Sequence, residues 1–371
     1  MQNYIKINNT KHWIRTILWG GFITLSFTSC NKIYNLPEDR DFISDNISYN
    51  TKEFFPILGR NNTMGSINLD NSSLPVKFEI VNARYGDGRK VEDLFQVRPT
   101  YRWIDEYDGK ETSLEEIEKK RVLENRPLME VDSVGRFILH STATNDLITP
   151  RSPDSSLLTQ DLRYFDLKIT NTGGVRYVRD FFIAPWFQRE YDPSNDINPY
   201  TGGVAPDPAS PRDPRRRDYI TPTRLNNVLG EVSNIPLVNN NEKKDVVVYI
   251  RRFQGGDGKK LRFVFLDKDE NPINPLLFNE TRWDKLVHGF NMNMTNQYVE
   301  FDVAYPIPLT SFNTEYVSGG RARVNFIYSR VGFGGGRTTS TVGLDFSIYQ
   351  AGDWEIVFHF RNENPRFGNE Q

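Results

Sequence analysis

A chain of 371 residues with a single cysteine cannot rely on internal disulfides, so its stability must come from apolar burial, for which an aromatic content of 13% supplies the material. Its formal net charge of −2 offers no overall positive field to gather nucleic acid or an anionic bilayer surface. The length suggests two cores or more.

The first 30 residues read as a lipoprotein leader. Lys6, Lys11 and Arg15 form a positive n-region, Ile17 to Phe27 an apolar h-region, and Leu25-Ser26-Phe27-Thr28-Ser29-Cys30 ends in small residues where a signal peptidase would cut. Crossing a hydrocarbon core takes about 20 apolar residues. This run is shorter and is diluted by Gly20-Gly21, Thr24, Ser26, Thr28 and Ser29. Cleavage would make Cys30 the new N-terminus and the site of acylation, and two or three acyl chains make a stable membrane anchor. Loss of three positive charges with residues 1–29 takes the mature chain of 342 residues from −2 to near −5.

Residues 30–64 are polar, with Asn, Ser and Thr around Glu38, Asp39 and Asp41, and read as a tether. Phe54-Phe55-Pro56-Ile57-Leu58 is the exception, suited to packing onto the first domain. Alternation of period two then marks half-buried strands at Val76/Phe78/Ile80, Met129/Val131, Phe137/Leu139 and Phe165/Leu167/Ile169. Thr172-Gly173-Gly174 turns the chain into Val175/Tyr177 and on to Phe181/Ile183, as in a hairpin. Thr112-Ser113-Leu114-Glu115-Glu116 offers a capping box for a helix of two or three turns. These elements assign residues 65–185 to an N-terminal β-sandwich.

Eight prolines between Pro185 and Pro222 make 186–238 a proline-rich connector in which regular strands are not expected. Beyond it, Val246/Val248/Ile250, Leu261/Phe263/Phe265, Val299/Phe301/Val303, Val324/Phe326/Tyr328, Val342/Leu344/Phe346/Ile348 and Trp354/Ile356/Phe358/Phe360 alternate with polar neighbours. Residues 239–362 therefore read as a C-terminal sandwich, followed by a tail, 363–371. Gly256-Asp257-Gly258 is placed as a strand-joining turn. Its likeness to Tyr85-Gly86-Asp87-Gly88 admits either a duplicated domain or two independent turns. The expected fold is mainly β: two tandem immunoglobulin-like sandwiches, a proline-rich connector and at most one or two short helices.

The chemistry-bearing patterns are sparse. His12, His140, His288 and His359 are scattered, so no metal site is expected, and His140 and His359 fall on the polar faces of their strands. Asp267-Lys268-Asp269-Glu270-Asn271 begins like a calcium loop but meets Pro272 where glycine is needed and Phe278 where a bidentate glutamate belongs. No phosphate cradle, nucleophile elbow or zincin motif occurs, so neither catalysis nor a cofactor is expected. The connector holds Trp186, Phe187, Tyr191, Tyr200 and Tyr219 among Arg189, Asp192, Asn195, Asp196 and Arg215 to Arg217. Aromatic faces beside amide, carboxylate and guanidinium groups suit a sugar or peptide ligand, and Trp186, Tyr191, Tyr200 and Arg215 are the candidate contacts. The same aromatics could simply staple the connector onto its neighbours.

Leu25 to Cys30, the polar stretch and the tandem β pattern together resemble outer-membrane lipoproteins of the Bacteroidota, often encoded beside TonB-dependent porins. Leu74-Pro75-Val76-Lys77-Phe78-Glu79-Ile80 and Ser113 to Leu139 look like one uncharacterised family of that group. The resemblance implies an anchor on Cys30, placement on the outer leaflet, and a TonB-dependent transporter complex as partner. Asp132-Ser133-Val134 is similar to the short O-glycosylation acceptor of that phylum. The function expected is a non-catalytic accessory module binding a ligand, a glycan by preference, during nutrient capture. The alternatives are an adhesive or structural surface protein and a degradative enzyme with unidentified carboxylates.

Overall fold

A computed structural model of the chain describes residues 41–151, 162–193, 219–332 and 334–369, together with 158, 198, 203 and 204. Cys30, the leader, Tyr200 and Arg215 to Arg217 lie outside the described residues. The protein is mainly β, and the described residues hold one α-helix.

The first body contains β1 (Ser48–Tyr49), β2 (Glu53–Phe54), β3 (Asn62–Met64), β4 (Ile67–Asn68), β5 (Lys77–Tyr85), β6 (Val97–Trp103), α1 (Leu114–Lys119), β7 (Arg121–Pro127), β8 (Met129–Val131), β9 (Phe137–Leu139), β10 (Arg163–Asn171) and β11 (Gly174–Ile183). One sheet runs β2-β11-β10-β5 and a second runs β3-β9-β8, while β6 pairs only with β7 as a ribbon. The two sheets share a core in which Phe165 stacks on Phe181 at 5.4 Å and Phe137 stands edge-on to both at 5.1 Å. Each fully buried ring of this kind contributes about 1.5–3 kcal/mol.

The expected tether is part of this body from residue 41 onward. Ile43, Phe54 and Leu58 are buried, and β2 extends the sheet in parallel pairing with β11. Phe54 and Leu58 pack as their apolar run suggests, whereas Ile43 stands in a mostly polar stretch. The 174–183 strand also departs from simple alternation, because Val175 and Tyr177 are exposed while Val178, Phe181 and Ile183 are buried. The face switches at a bulge opposite Asp166, whose carboxylate accepts bonds from Asn82 Nδ2 (2.8 Å) and the Asp180 amide (3.0 Å). Burial opposes charge on Asp166, but these bonds and Arg84 outweigh it and hold the carboxyl below its usual range. α1 is shorter than expected at 6 residues. Its Ser113 cap accepts from the Glu116 amide (3.2 Å), and the Glu116 carboxylate reaches back to the Thr112 amide (2.8 Å).

The second body contains β12 (Tyr191–Asp192), β13 (Arg224–Asn226), β14 (Val246–Arg252), β15 (Lys260–Leu266), β16 (Gly289–Met294), β17 (Tyr298–Val303), β18 (Val317–Ser318), β19 (Arg321–Val331), β20 (Arg337–Ile348) and β21 (Trp354–Phe360). One sheet runs β14-β21-β15-β17-β16; the other is β12-β20-β19-β18, with β13 also on β20. Phe263, Phe265, Phe326, Phe346 and Phe358 meet between them, all at 0% exposure.

Three expectations are corrected here. The connector does carry strands, since β12 and β13 both pair with β20, and Ile220, Val228 and Leu237 belong to the second core. Prolines interrupt these strands without preventing them. Residues 363–369 are no free tail: Pro365 bridges Gly230, and Phe367 stands edge-on to Phe278 at 5.3 Å. Gly256-Asp257-Gly258 joins two strands as expected, β14 and β15, though not as a hairpin, because β21 lies between them; the Gly258 and Lys260 amides donate to Asp353. Since the strand orders differ, the two Asp-Gly loops carry no sign of duplication. Gly343 is required where β13 crosses, as a Cβ there would lie 2.6 Å from Asn325 Oδ1 and 2.8 Å from the Val324 carbonyl. His140 and His359, expected to face solvent, are each only 8% exposed. β21 is the reason for the second, being buried on both faces in mid-sheet.

Candidate functional site

The two bodies meet along a seam that several contacts of the described residues cross. β12 carries the connector onto β20, pairing Tyr191 with Ile348 and Asp192 with Ser347. Tyr107, in the loop that precedes α1, bonds His288 Nδ1 at 2.5 Å, and His288 Nε2 donates to the Glu111 carbonyl at 2.8 Å. That carbonyl fixes the tautomer, so Nδ1 accepts from the Tyr107 hydroxyl. Arg121 Nη1 donates to the Tyr305 carbonyl at 2.7 Å.

Between these ties lies a cleft of about 380 Å3. The first body contributes Arg60, Asn61, Thr63 and Ser141; the second contributes Thr310, Ser347 and Tyr349, with Pro306 and Pro308 as a stiff apolar wall. Arg60 reaches this position through its turn. Asn62 closes it, donating to the carbonyls of Ile57 and Arg60 (2.8 Å each) and accepting from the Ile57 amide. Gly59 allows the approach of Gln188, whose side chain lies 2.5 Å from where a Cβ would stand.

At the cleft's edge Arg60 Nη1 donates to Asp192 Oδ2 and to the Tyr349 hydroxyl, 2.8 Å each, and that hydroxyl bonds the same carboxylate oxygen at 2.8 Å. The guanidinium lies over the Tyr349 ring at 3.8 Å, which fixes its plane. Arg189 pairs with the other side of Asp192 at 3.8 Å and is 6% exposed. Among the described residues, Nε and Nη2 of Arg60, Nε of Arg189 and Oδ1 of Asp192 have no hydrogen-bond partner. Burial, opposed by Asp192 and reinforced by the charges of Arg60 and Arg321, holds the Arg189 guanidinium below its usual range. Burial likewise raises the Tyr349 hydroxyl, which Arg60 partly offsets. Two buried cations thus share one carboxylate. Breaking such a cluster is costly because an uncompensated charge has no water to fall back on.

The residues singled out from the sequence divide in this arrangement. Arg189 and Asp192 enter the seam cluster. Tyr191 is half-buried and edge-on to Trp354 at 6.0 Å, and half-buried Trp186 is held between Pro56 and Leu58 by backbone bonds of 2.7 and 3.2 Å. The Tyr191 ring thus packs against the second core. Tyr200 and Arg215 lie outside the described residues. Arg60 and Tyr349 went unnoticed, and no local pattern could have joined residues 289 positions apart. The Asp267 loop is a charged turn: its carboxylate accepts from the Asp269 and Asn271 amides at 2.9 and 2.8 Å. Among the described residues no three His, Cys, Asp or Glu side chains cluster to hold a metal. No described helix is long and apolar enough to cross a membrane.

Comparison with known families matches residues 67–369 to the domain of unknown function DUF5007. The chain belongs to this family. In DUF5007 terms Asp192 and Tyr349 lie inside the matched stretch, whereas Arg60 and β1 to β3 precede it, although they complete the first body and one wall of the cleft. No curated protein and no solved structure matches the chain.

Proposed function

We propose that this DUF5007 protein is a lipid-anchored envelope protein of the Bacteroidota type, held at the outer membrane through Cys30, that binds a glycan without turnover and serves a TonB-dependent uptake system. One observation carries the binding reading: the open polar cleft at the seam, whose walls offer hydroxyls, an amide and a guanidinium stacked on tyrosine. Its volume of about 380 Å3 is at the small end of the ~300–1,000 Å3 usual for ligand sites. Alternating polar groups and an apolar wall suit a sugar ring, which has hydroxyls at its edge and C–H faces. Anchoring raises the effective concentration of captured ligand near a transporter.

Affinity electrophoresis of the intact protein, purified in mild detergent, through gels containing single polysaccharides tests this. Retardation by at least one glycan, lost in Thr63→Ala/Ser141→Ala, supports the reading; release of sugar would replace it with an enzymatic one. The adhesive alternative has its own support in the β6–β7 ribbon, where cross-strand partners Tyr101 and Leu123 are 56% and 59% exposed on one face. Migration unchanged on every glycan, with a partner protein co-purifying, would favour it.

A further inference from the structure

We propose that the seam cleft selects a negatively charged sugar, binding its carboxylate or sulfate oxygens through the unused fork of Arg60; this rests on reading the cleft as a glycan site. The guanidinium has a side-on fork, formed by the parallel N–H groups of Nε and Nη2, that matches two oxygens of one oxyanion. Arg60 spends only Nη1 on Asp192 and Tyr349, and the nitrogens left without a partner are the two of that fork. The Tyr349 ring lies beneath it, 3.8 Å from the guanidinium carbon, and holds the side chain at the cleft's edge.

Charge points the same way. Among the described residues Arg60 and Arg189 share one carboxylate, Asp192; Arg321 adds its field to Arg189, and the nearby Glu190 is paired with Arg252 at 2.8 Å. Arg189 is 6% exposed and its Nε has no hydrogen-bond partner. Three unpartnered donors stand against one unpartnered acceptor, Asp192 Oδ1, and two guanidinium charges against one carboxylate, an imbalance that favours an anionic ligand. The fork is shielded from water in this structure, so engagement requires Arg60 to shift toward the cleft it already lines. Thr63, Ser141 and Thr310, which line the same cleft, are then placed to meet the rest of the sugar.

Titration calorimetry on the intact detergent-purified protein provides the test, with four polymers: polygalacturonate, its full methyl ester, dextran sulfate and dextran. At least one charged polymer is expected to bind, and its neutral counterpart about ten- to a hundred-fold more weakly, the value of one charge-assisted pair. The charged polymer that binds distinguishes carboxylate from sulfate. Equal binding of a charged polymer and its neutral counterpart overturns the charge selection and leaves the glycan reading standing. Binding of none overturns both. Arg60→Lys keeps the charge but loses the fork, so it should weaken charged binding at least about tenfold; undiminished binding in a folded Arg60→Lys protein also overturns the inference. Should that variant not fold, the polymer pairs still decide.

Discussion

Replacing Asp192 with alanine should destabilise the protein far more than loss of an ordinary ion pair. The Asp192 side chain is 7% exposed, that of Arg60 13% and that of Arg189 6%, so little water is available to take over from the carboxylate. At an effective dielectric constant near 20, unit charges 4 Å apart interact by about 4 kcal/mol, and Asp192 stands within 2.8 Å of one cation and 3.8 Å of another. Measured losses on breaking a buried pair are about 3–5 kcal/mol, and Asp192→Ala leaves two cations behind rather than one, placing it toward the upper end. For bodies of this size that corresponds to a fall of about 6–20 °C in melting temperature. Urea and thermal unfolding at pH 7, followed by tryptophan fluorescence, would measure it, with Asp45→Ala as control because Asp45 is 81% exposed in its pair with Arg176. The control should lose no more than about 1 kcal/mol. If Asp192→Ala behaves like the control, water reaches the seam cluster and the argument for an uncompensated buried charge fails.

Phe326→Ala removes a fully buried ring that meets Phe263, Phe265 and Phe358 at 5.3, 4.7 and 5.1 Å, and should cost about 3–5 kcal/mol in chemical unfolding. A loss under about 2 kcal/mol would mean the second core is looser than described. Burial holds the His359 imidazole below its ordinary 6.5. The unfolded chain therefore takes up the proton first, and stability, full above about pH 6.5, declines as pH drops through and below it. Urea midpoints at pH 8, 6 and 5 should show this decline flattened in His359→Phe; parallel curves would count against it. Finally, mass spectrometry of protein from native membranes should show residues 1–29 absent and acyl chains on Cys30, and Cys30→Ser should accumulate as the uncleaved form; an intact Met1 in the native protein would remove the anchor from the proposal.

Strands with one buried face were legible in the sequence. Leu261/Phe263/Phe265 and Val324/Phe326/Tyr328 alternate because one side meets the opposite sheet and the other does not. The ribbon β6–β7 was invisible because it has no such contrast: Arg98, Pro99 and Thr100 follow one another, and the apolar Val97, Tyr101 and Leu123 face outward. β16, with Asn291 and Asn293 on a bulged edge, hid for the same reason. At the site, the connector's charges stand out by composition, and of its aromatics Tyr191 packs inward against Trp354. Arg60 sat in a stretch whose polarity suggested a leash, and only the folded chain brings it to Tyr349.

The entry of the chain into the first body at Ile43, with Ser44 bonded to Asp70 and the Ser72 hydroxyl, limits how far that body can stand from a bilayer. About 11 residues separate Cys30 from Asp41, and a fully extended segment spans at most about 3.3–3.6 Å per residue. Under the proposed acylation the near surface of the protein therefore stays within roughly 40 Å of the lipid headgroups. Under the same proposal a transporter partner would be met beside the molecule, in the membrane plane, within that reach.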